Sequence, residues 1–368
     1  MKKLKKEHGI TLVALVITII ILLILAGISI QAITQNNLFE QAKKAKNATE
    51  NSQKEENKTL SEYMGKINEY LPETLSYKVS NGEIAIGAYV NYKPEELNEK
   101  ELQTLKDNLN KYSGVSNDEN NTINPAIKRD DLKWRVLDID ETTGGVRLIS
   151  EKTTNSKIQL YGYDGYNNAV KLIDDACSTL YNNTKFASKV QNLKIADVTR
   201  YMTTQPTEDK TEYKPKDIKI PNILKQEENQ VVEGSTTHKI GVSEQTEFIT
   251  GSAQSSTSTL KNILWQQSIN ANTGFTNKAY YELFIKKDEQ YYSYWLSSRC
   301  IRARSDDANF YVRFVGSGDV FVDGLCTSGN YERGDYSSFR PVITLKSNIQ
   351  LDETNPGDGT EGKPFEIK

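Results

Sequence analysis

Histidine, cysteine and methionine are scarce in this chain of 368 residues, which carries only two, three and three of them. His8 and His238 are too few for most metal or acid–base centres, so neither a catalytic residue nor a metal ligand is expected. Cys177, Cys300 and Cys326 form no CxxC pair and no dense framework, which excludes a zinc module and a disulfide-stapled mini-domain. Free thiols and a Cys300–Cys326 bridge are both open readings. A basic excess is also missing: 46 Lys+Arg against 49 Asp+Glu leave a net charge of -3. Neutralising phosphates needs a basic face, so nucleic acid is excluded as a partner, and no cofactor is implied. The length permits two or three domains.

A further absence is local. No lysine occurs between Lys287 and Lys346, and that gap holds Arg299, Arg302, Arg304, Arg313, Arg333 and Arg340, six of the ten arginines in the chain. From Cys300 to Phe339 there is also no Gln, Met or Trp. Arg, Tyr and Phe make binding hot spots, whereas ordering the flexible lysine stem costs entropy. The window therefore reads as a recognition surface.

What is present at the N-terminus is a long apolar run. Ile10 to Ile30 carries no charge and matches the ~20 residues that a helix needs to cross hydrocarbon. Lys2, Lys3, Lys5 and Lys6 precede it, so the positive-inside rule keeps the short N-terminus cytoplasmic and places the rest outside. KKLKKEHG followed by ITLVALVITIIILLILAGISI resembles the class III leader of type IV prepilins and pseudopilins, cut between Gly9 and Ile10. Ala14 stands where that family usually has Glu. The resemblance implies a leader over 1–9, a transmembrane helix over 10–33, a prepilin peptidase that processes the chain, and other pilin subunits as partners. It also implies a single-pass membrane location with the C-terminal part extracytoplasmic and associated with a pilus. Residues 34–71 keep apolar spacings of three and four, at Ile33, Leu38, Ala42 and Ala45 and again at Leu60, Met64, Ile67 and Leu71. A helical stalk ending at Pro72 is expected.

From 72 to 368 the pattern changes to short β-like runs. WRVLDIDETTGGVRLISE is a hairpin signature around Gly144-Gly145. KPEELNEKELQTLKDNLNKY places Leu97, Leu102, Leu105 and Leu109 on one helical face and looks like a surface insertion. VKLIDDACSTLYNNT and SKVQNLKIADVTRYM read as two helices, the first turning Cys177 toward a core. Residues 203–259 form a polar excursion that contains His238. The expected class is α+β: a long N-terminal membrane and stalk helix, then a mixed, β-rich domain with inserted helices and loops.

Within the window, Phe310, Val312, Val315, Val320, Val322 and Leu325 alternate with Tyr311, Phe314, Gly316, Asp319, Phe321, Asp323 and Gly324. With Gly316-Ser317-Gly318 as the turn, this predicts a hairpin with one face packed and the other exposed. Exposed Tyr311, Phe314 and Phe321 beside Asp319, Asp323, Arg302 and Arg304 would make a ligand-contacting patch. FRPVITLKS reads as the final core strand.

WRVLDID with VRLISE, YWLSSR, the alternating stretch, and FRPVITL before PGDGTEGKPFEIK resemble the C-type-lectin-like, formylglycine-generating-enzyme-type domains of bacterial surface proteins. More particularly, they are similar to target proteins of diversity-generating retroelements. That likeness implies a variable region over 300–339 with ligand-facing positions at Cys300, Arg302, Arg304, Asp306, Tyr311, Phe314, Gly316, Asp319, Phe321, Asp323, Cys326, Tyr331, Arg333, Asp335 and Tyr336. Glu332 departs from the pattern. The function so implied is a surface-displayed, adhesin-like binding protein for a protein or glycan, without enzymatic chemistry. The alternative is a minor pilin or pseudopilin with a structural role in a filament or secretion apparatus. Calcium-assisted sugar binding lacks its usual Glu-Pro-Asn and Trp-Asn-Asp tripeptides.

Overall fold

β-branched and aromatic runs bounded by Gly, Asn and Asp dominate the chain after residue 74, and they pair into two six-stranded sheets. The structure is a computed structural model that describes residues 74–115, 122–207, 211–214, 218–224, 243–257 and 259–368, together with Ser52, Glu55 and Thr59, which are helical and exposed. Contacts divide the chain into two units, 1–63 and 64–368, and the fold concerns the second.

In chain order the elements are α1 (Leu75–Ser80), β1 (Tyr89–Asn91), α2 (Glu99–Tyr112), β2 (Trp134–Ile139), β3 (Val146–Ser150), β4 (Lys157–Tyr161), α3 (Gly162–Tyr181), β5 (Ala187–Asn192) and α4 (Ile195–Thr199). They continue as β6 (Gln267–Ser268), α5 (Lys278–Phe284), β7 (Ser293–Ala303), β8 (Ala308–Gly316), β9 (Asp319–Thr327), β10 (Gly334–Ser338), β11 (Pro341–Leu345) and β12 (Phe365–Glu366). The first sheet runs β12-β1-β2-β3-β11-β5 and the second β6-β9-β8-β7-β10-β4.

The β2–β3 hairpin forms as expected, and every residue of β3 and β11 is buried, so these strands lie at the centre of a sheet covered on both faces. FRPVITLKS supplies β11, which pairs with β3 and β5. Helix α2 is capped by Asn98, whose side chain accepts from the amides of Lys100 and Glu101. Its Leu102, Leu105 and Leu109 are buried against the core, so this segment is a packed helix and not a surface insertion. Helix α3 buries Leu172, Ile173, Ala176, Cys177 and Leu180 in the same core.

Several expectations are corrected. SKVQNLKIADVTRYM is not one helix: Ala187–Asn192 is a strand on the edge of the first sheet, and only Ile195–Thr199 is helical. Pairing with β11 overrides its helix-compatible spacing because Val190 fills a core position. The α+β class led by a long apolar helix also gives way. Among the described residues the fold is β-rich, with five helices of 5 to 20 residues. None of those helices is long and apolar enough to cross a membrane, which stands against the transmembrane, cell-surface and pilus placement. The leader with Gly9 and Ile10, the span 10–33 and the stalk 34–71 lie outside the described residues, apart from Ser52, Glu55 and Thr59 of the stalk. His238 lies outside them too. Of the polar excursion, Ile218–Pro221 pairs with Ala253–Ser256, and Glu212–Tyr213 pairs with Leu260–Lys261.

Candidate functional site

The arginines of the lysine-free window divide into two groups. Arg299, Arg313 and Arg340 are 0% exposed. Arg313 donates to the carbonyls of Ile263 and Trp265, and Arg299 donates to the Asn167 carbonyl and the Gln245 side chain. Arg340 donates to the carbonyls of Ser150 and Glu151 and lies over the rings of Tyr292 and Tyr294, 4.0 Å and 5.5 Å from their centroids. A guanidinium satisfies several fixed carbonyls at once and stacks flat, so these three serve the interior and not a ligand. Arg302, Arg304 and Arg333 retain solvent contact.

Residues Ser317 and Gly318 both have positive φ, 52° and 92°, and close β8 onto β9 by a two-residue turn. The resulting ribbon is not simply packed on one face and open on the other. Tyr311 pairs with Cys300 and Gly324, whereas Phe314 pairs with Trp295 and Phe321. The period-two alternation of a strand therefore puts Tyr311 on the face opposite Phe314 and Phe321. All three are half-buried. Phe314 meets Trp295 and Phe321 edge-on, at 5.7 Å and 4.9 Å between centroids. Glycines make room for two of these rings: a Cβ on Gly316 would stand 2.4 Å from Phe314, and one on Gly324 3.0 Å from Tyr311. Gly316 is thus a buried platform for a ring.

Cys300 and Cys326 are sealed, 0% and 2% exposed, and unbridged. They sit on β7 and β9 with β8 between them, roughly 10 Å apart at the usual strand spacing, beyond disulfide reach. Burial pushes the Cys300 thiol up to about 11 and the Cys326 thiol well above its ordinary value. Neither side chain is presented to a ligand.

The remaining positions fall at two ends of the second sheet, some 25 Å apart along β8. Gly316 and Asp319 flank the 317–318 turn at one end, where Tyr291 is exposed. At the other end lie Arg302, the 304–307 connection with Arg304 and Asp306, and the turn that follows β9. The Thr327 amide donates to the Tyr331 carbonyl and the Arg333 amide to the Leu325 carbonyl, which folds residues 331–333 back along β9. The chain then enters β10, antiparallel to β4, with Gly334 opposite Tyr161, Asp335 opposite Leu160 and Tyr336 opposite Gln159.

This end carries the site. Tyr161, Tyr331 and Tyr336 are 40%, 62% and 49% exposed, and of the large hydrophobic side chains among the described residues only Tyr291 is comparably open. The Lys157 ammonium lies 4.9 Å from the Tyr336 ring centre, and the Tyr161 ring crosses Gly334, where a Cβ would come within 2.9 Å of it. Beside the tyrosines, Arg333 forms an ion pair with half-buried Asp323 and donates to the Gly324 carbonyl. Burial, and then a hydrogen bond and the charge of Asp335, push the Asp323 carboxyl up to about 7, with Arg333 opposing. Asp323 can therefore hold or release a proton near neutrality.

Tyr161 and Lys157 are functional candidates that the window-centred reading missed. Their signal was the alternation in KIQLY, in which Ile158 and Leu160 are buried while Lys157 and Tyr161 are exposed. Among the described residues no group of three or more His, Cys, Asp or Glu could hold a metal ion. No family model, curated protein or solved structure matches the chain.

Proposed function

We propose that this chain is a non-enzymatic binding protein that grips a protein partner through the tyrosine-bearing end of its second sheet. One observation carries the reading: Tyr161 and Tyr336 stand open on the paired strands β4 and β10, and Tyr331 on the turn that leads into β10, where Arg333 pairs with Asp323. Exposed aromatic side chains are costly to leave in water, and tyrosine gives large contact area with few rotatable bonds. Arg333, Asp323 and Asp335 add groups of both signs, which fix register in a protein interface more than they add affinity. The absence of Lys, Gln, Met and Trp between Cys300 and Phe339 fits a surface whose composition follows contact and not solubility alone. The resemblance to lectin-like binding domains points the same way.

The test is a panel of immobilised proteins and glycans probed with the full chain and with a Tyr161→Ala, Tyr331→Ala, Tyr336→Ala triple variant. Protein binding by the parent that falls tenfold or more in the triple variant, at unchanged thermal midpoint, is the expected result. Equal binding by both proteins, or binding of glycans alone, overturns it.

A further inference from the structure

A second concave site lies on the first sheet, away from the tyrosine surface. It is a cleft of about 540 Å³ between β1, the 129–133 segment that leads into β2, and residues 361–364. That volume is in the range of small-molecule sites. Its floor is aromatic: Trp134 meets Tyr92 and Tyr181 edge-on at 5.4 Å and 5.7 Å between centroids.

The polar groups of this cleft decide what it would take. Two of the three cations in its wall, Arg129 and Lys133, are committed to the protein, and the third, Lys93, is exposed. Arg129 donates to the carbonyls of Leu180 and Glu95, and Lys133 pairs with Glu361 at 2.6 Å. The Asp130 carboxylate accepts from the amides of Asn155 and Ser156 and from the Asn155 side chain. The Tyr92 hydroxyl donates to the Tyr181 carbonyl at 2.8 Å. Besides Lys93, two groups stand outside this network. Trp134 is 2% exposed, and its indole N–H is buried with no acceptor among the described residues. Asp131, exposed on the wall, makes no hydrogen bond or ion pair with the described residues. Buried donors are nearly always satisfied in folded proteins, so the indole marks where an acceptor belongs.

We infer that this cleft binds a neutral, hydroxyl-rich small molecule of monosaccharide size. A hydroxyl can both accept from a fixed N–H and donate to a carboxylate, the two kinds of group that Trp134 and Asp131 supply. The charged side chains of the wall, Lys93, Arg129 and Lys133 against Asp130, Asp131 and Glu361, cancel, so the cleft offers no net charge to an anion or a cation. An apolar ring edge on the ligand would lie on the aromatic floor.

The experiment is calorimetric titration of the full chain with glucose, galactose and N-acetylglucosamine, with glucose 6-phosphate and tetramethylammonium as charged comparators. Tryptophan fluorescence reports on the floor. The expected result is saturable binding of at least one neutral sugar, with a dissociation constant on the order of millimolar. It should weaken tenfold or more in Trp134→Phe, which removes the N–H, and in Asp131→Asn, whose exposed position leaves folding intact. The Tyr331→Ala, Tyr336→Ala variant should bind the sugar unchanged, which separates this site from the protein-binding surface. No saturation by any neutral sugar, tighter binding of a charged comparator, or equal binding by both cleft variants overturns the inference.

Discussion

Arg313, in the middle of β8, donates to the carbonyl of Ile263 at 2.8 Å and so ties the strand-rich window to the segment that follows the polar excursion. This buried clamp is the opposite of an exposed hot spot, and it yields the first prediction. Arg313→Lys cannot span both the Ile263 and Trp265 carbonyls, so a buried charge loses at least one of its partners. We expect a loss of about 3 kcal/mol in unfolding free energy, read from the urea midpoint. Arg304→Ala, at an exposed position, should change it by no more than about 0.5 kcal/mol. Equal losses in the two variants would contradict the division of the arginines.

Gly114 approaches the end of β4 so closely that a Cβ there would lie 2.1 Å from the Tyr161 carbonyl oxygen, and its φ is +76°. The neighbouring Ser113 carbonyl accepts from the Tyr161 amide at 2.8 Å. Gly114→Ala therefore displaces backbone beneath an exposed tyrosine of the site. We expect about 2 kcal/mol or more of destabilisation and weaker partner binding, measured by chemical denaturation and by the panel assay.

Asp323 supplies a pH dependence whose sign follows from its raised pKa of about 7. The unfolded chain releases that proton near pH 4, so between about pH 4 and about pH 7 the folded state binds more protons than the unfolded one. Stability from this group is full below that window and is lost as pH rises through it. Asp323→Asn should flatten the fall in urea midpoint between about pH 4 and about pH 7. An unchanged slope would show that Asp323 titrates normally.

The three cysteines are buried and free. Only the thiolate reacts, and burial raises the thiol pKa at all three, so a disulfide-exchange reagent should label none in the native protein and all three after unfolding. A non-reducing mass measurement should show no loss of hydrogen to a Cys300–Cys326 bridge.

Local pattern alone identified the β2–β3 hairpin, the turn at 317–318, the core strand β11 and the core-facing side of α3. In each, the information lies in residues next to one another in sequence: alternation of two, glycine where φ is positive, or apolar spacing of three and four. The same local signals failed at Ser188–Asn192, where pairing with β11 decides the conformation, and at the arginines, where composition cannot tell a buried clamp from an exposed hot spot. The candidate site was half legible. Tyr331, Arg333, Asp335 and Tyr336 stood out in the window, but Tyr161 and Lys157 join them only because β4 lies beside β10. Sequence by itself determined which segments alternate and which residue types the window contains. Tertiary structure decided which of those side chains reach water, because burial depends on what packs across a strand from elements distant along the chain.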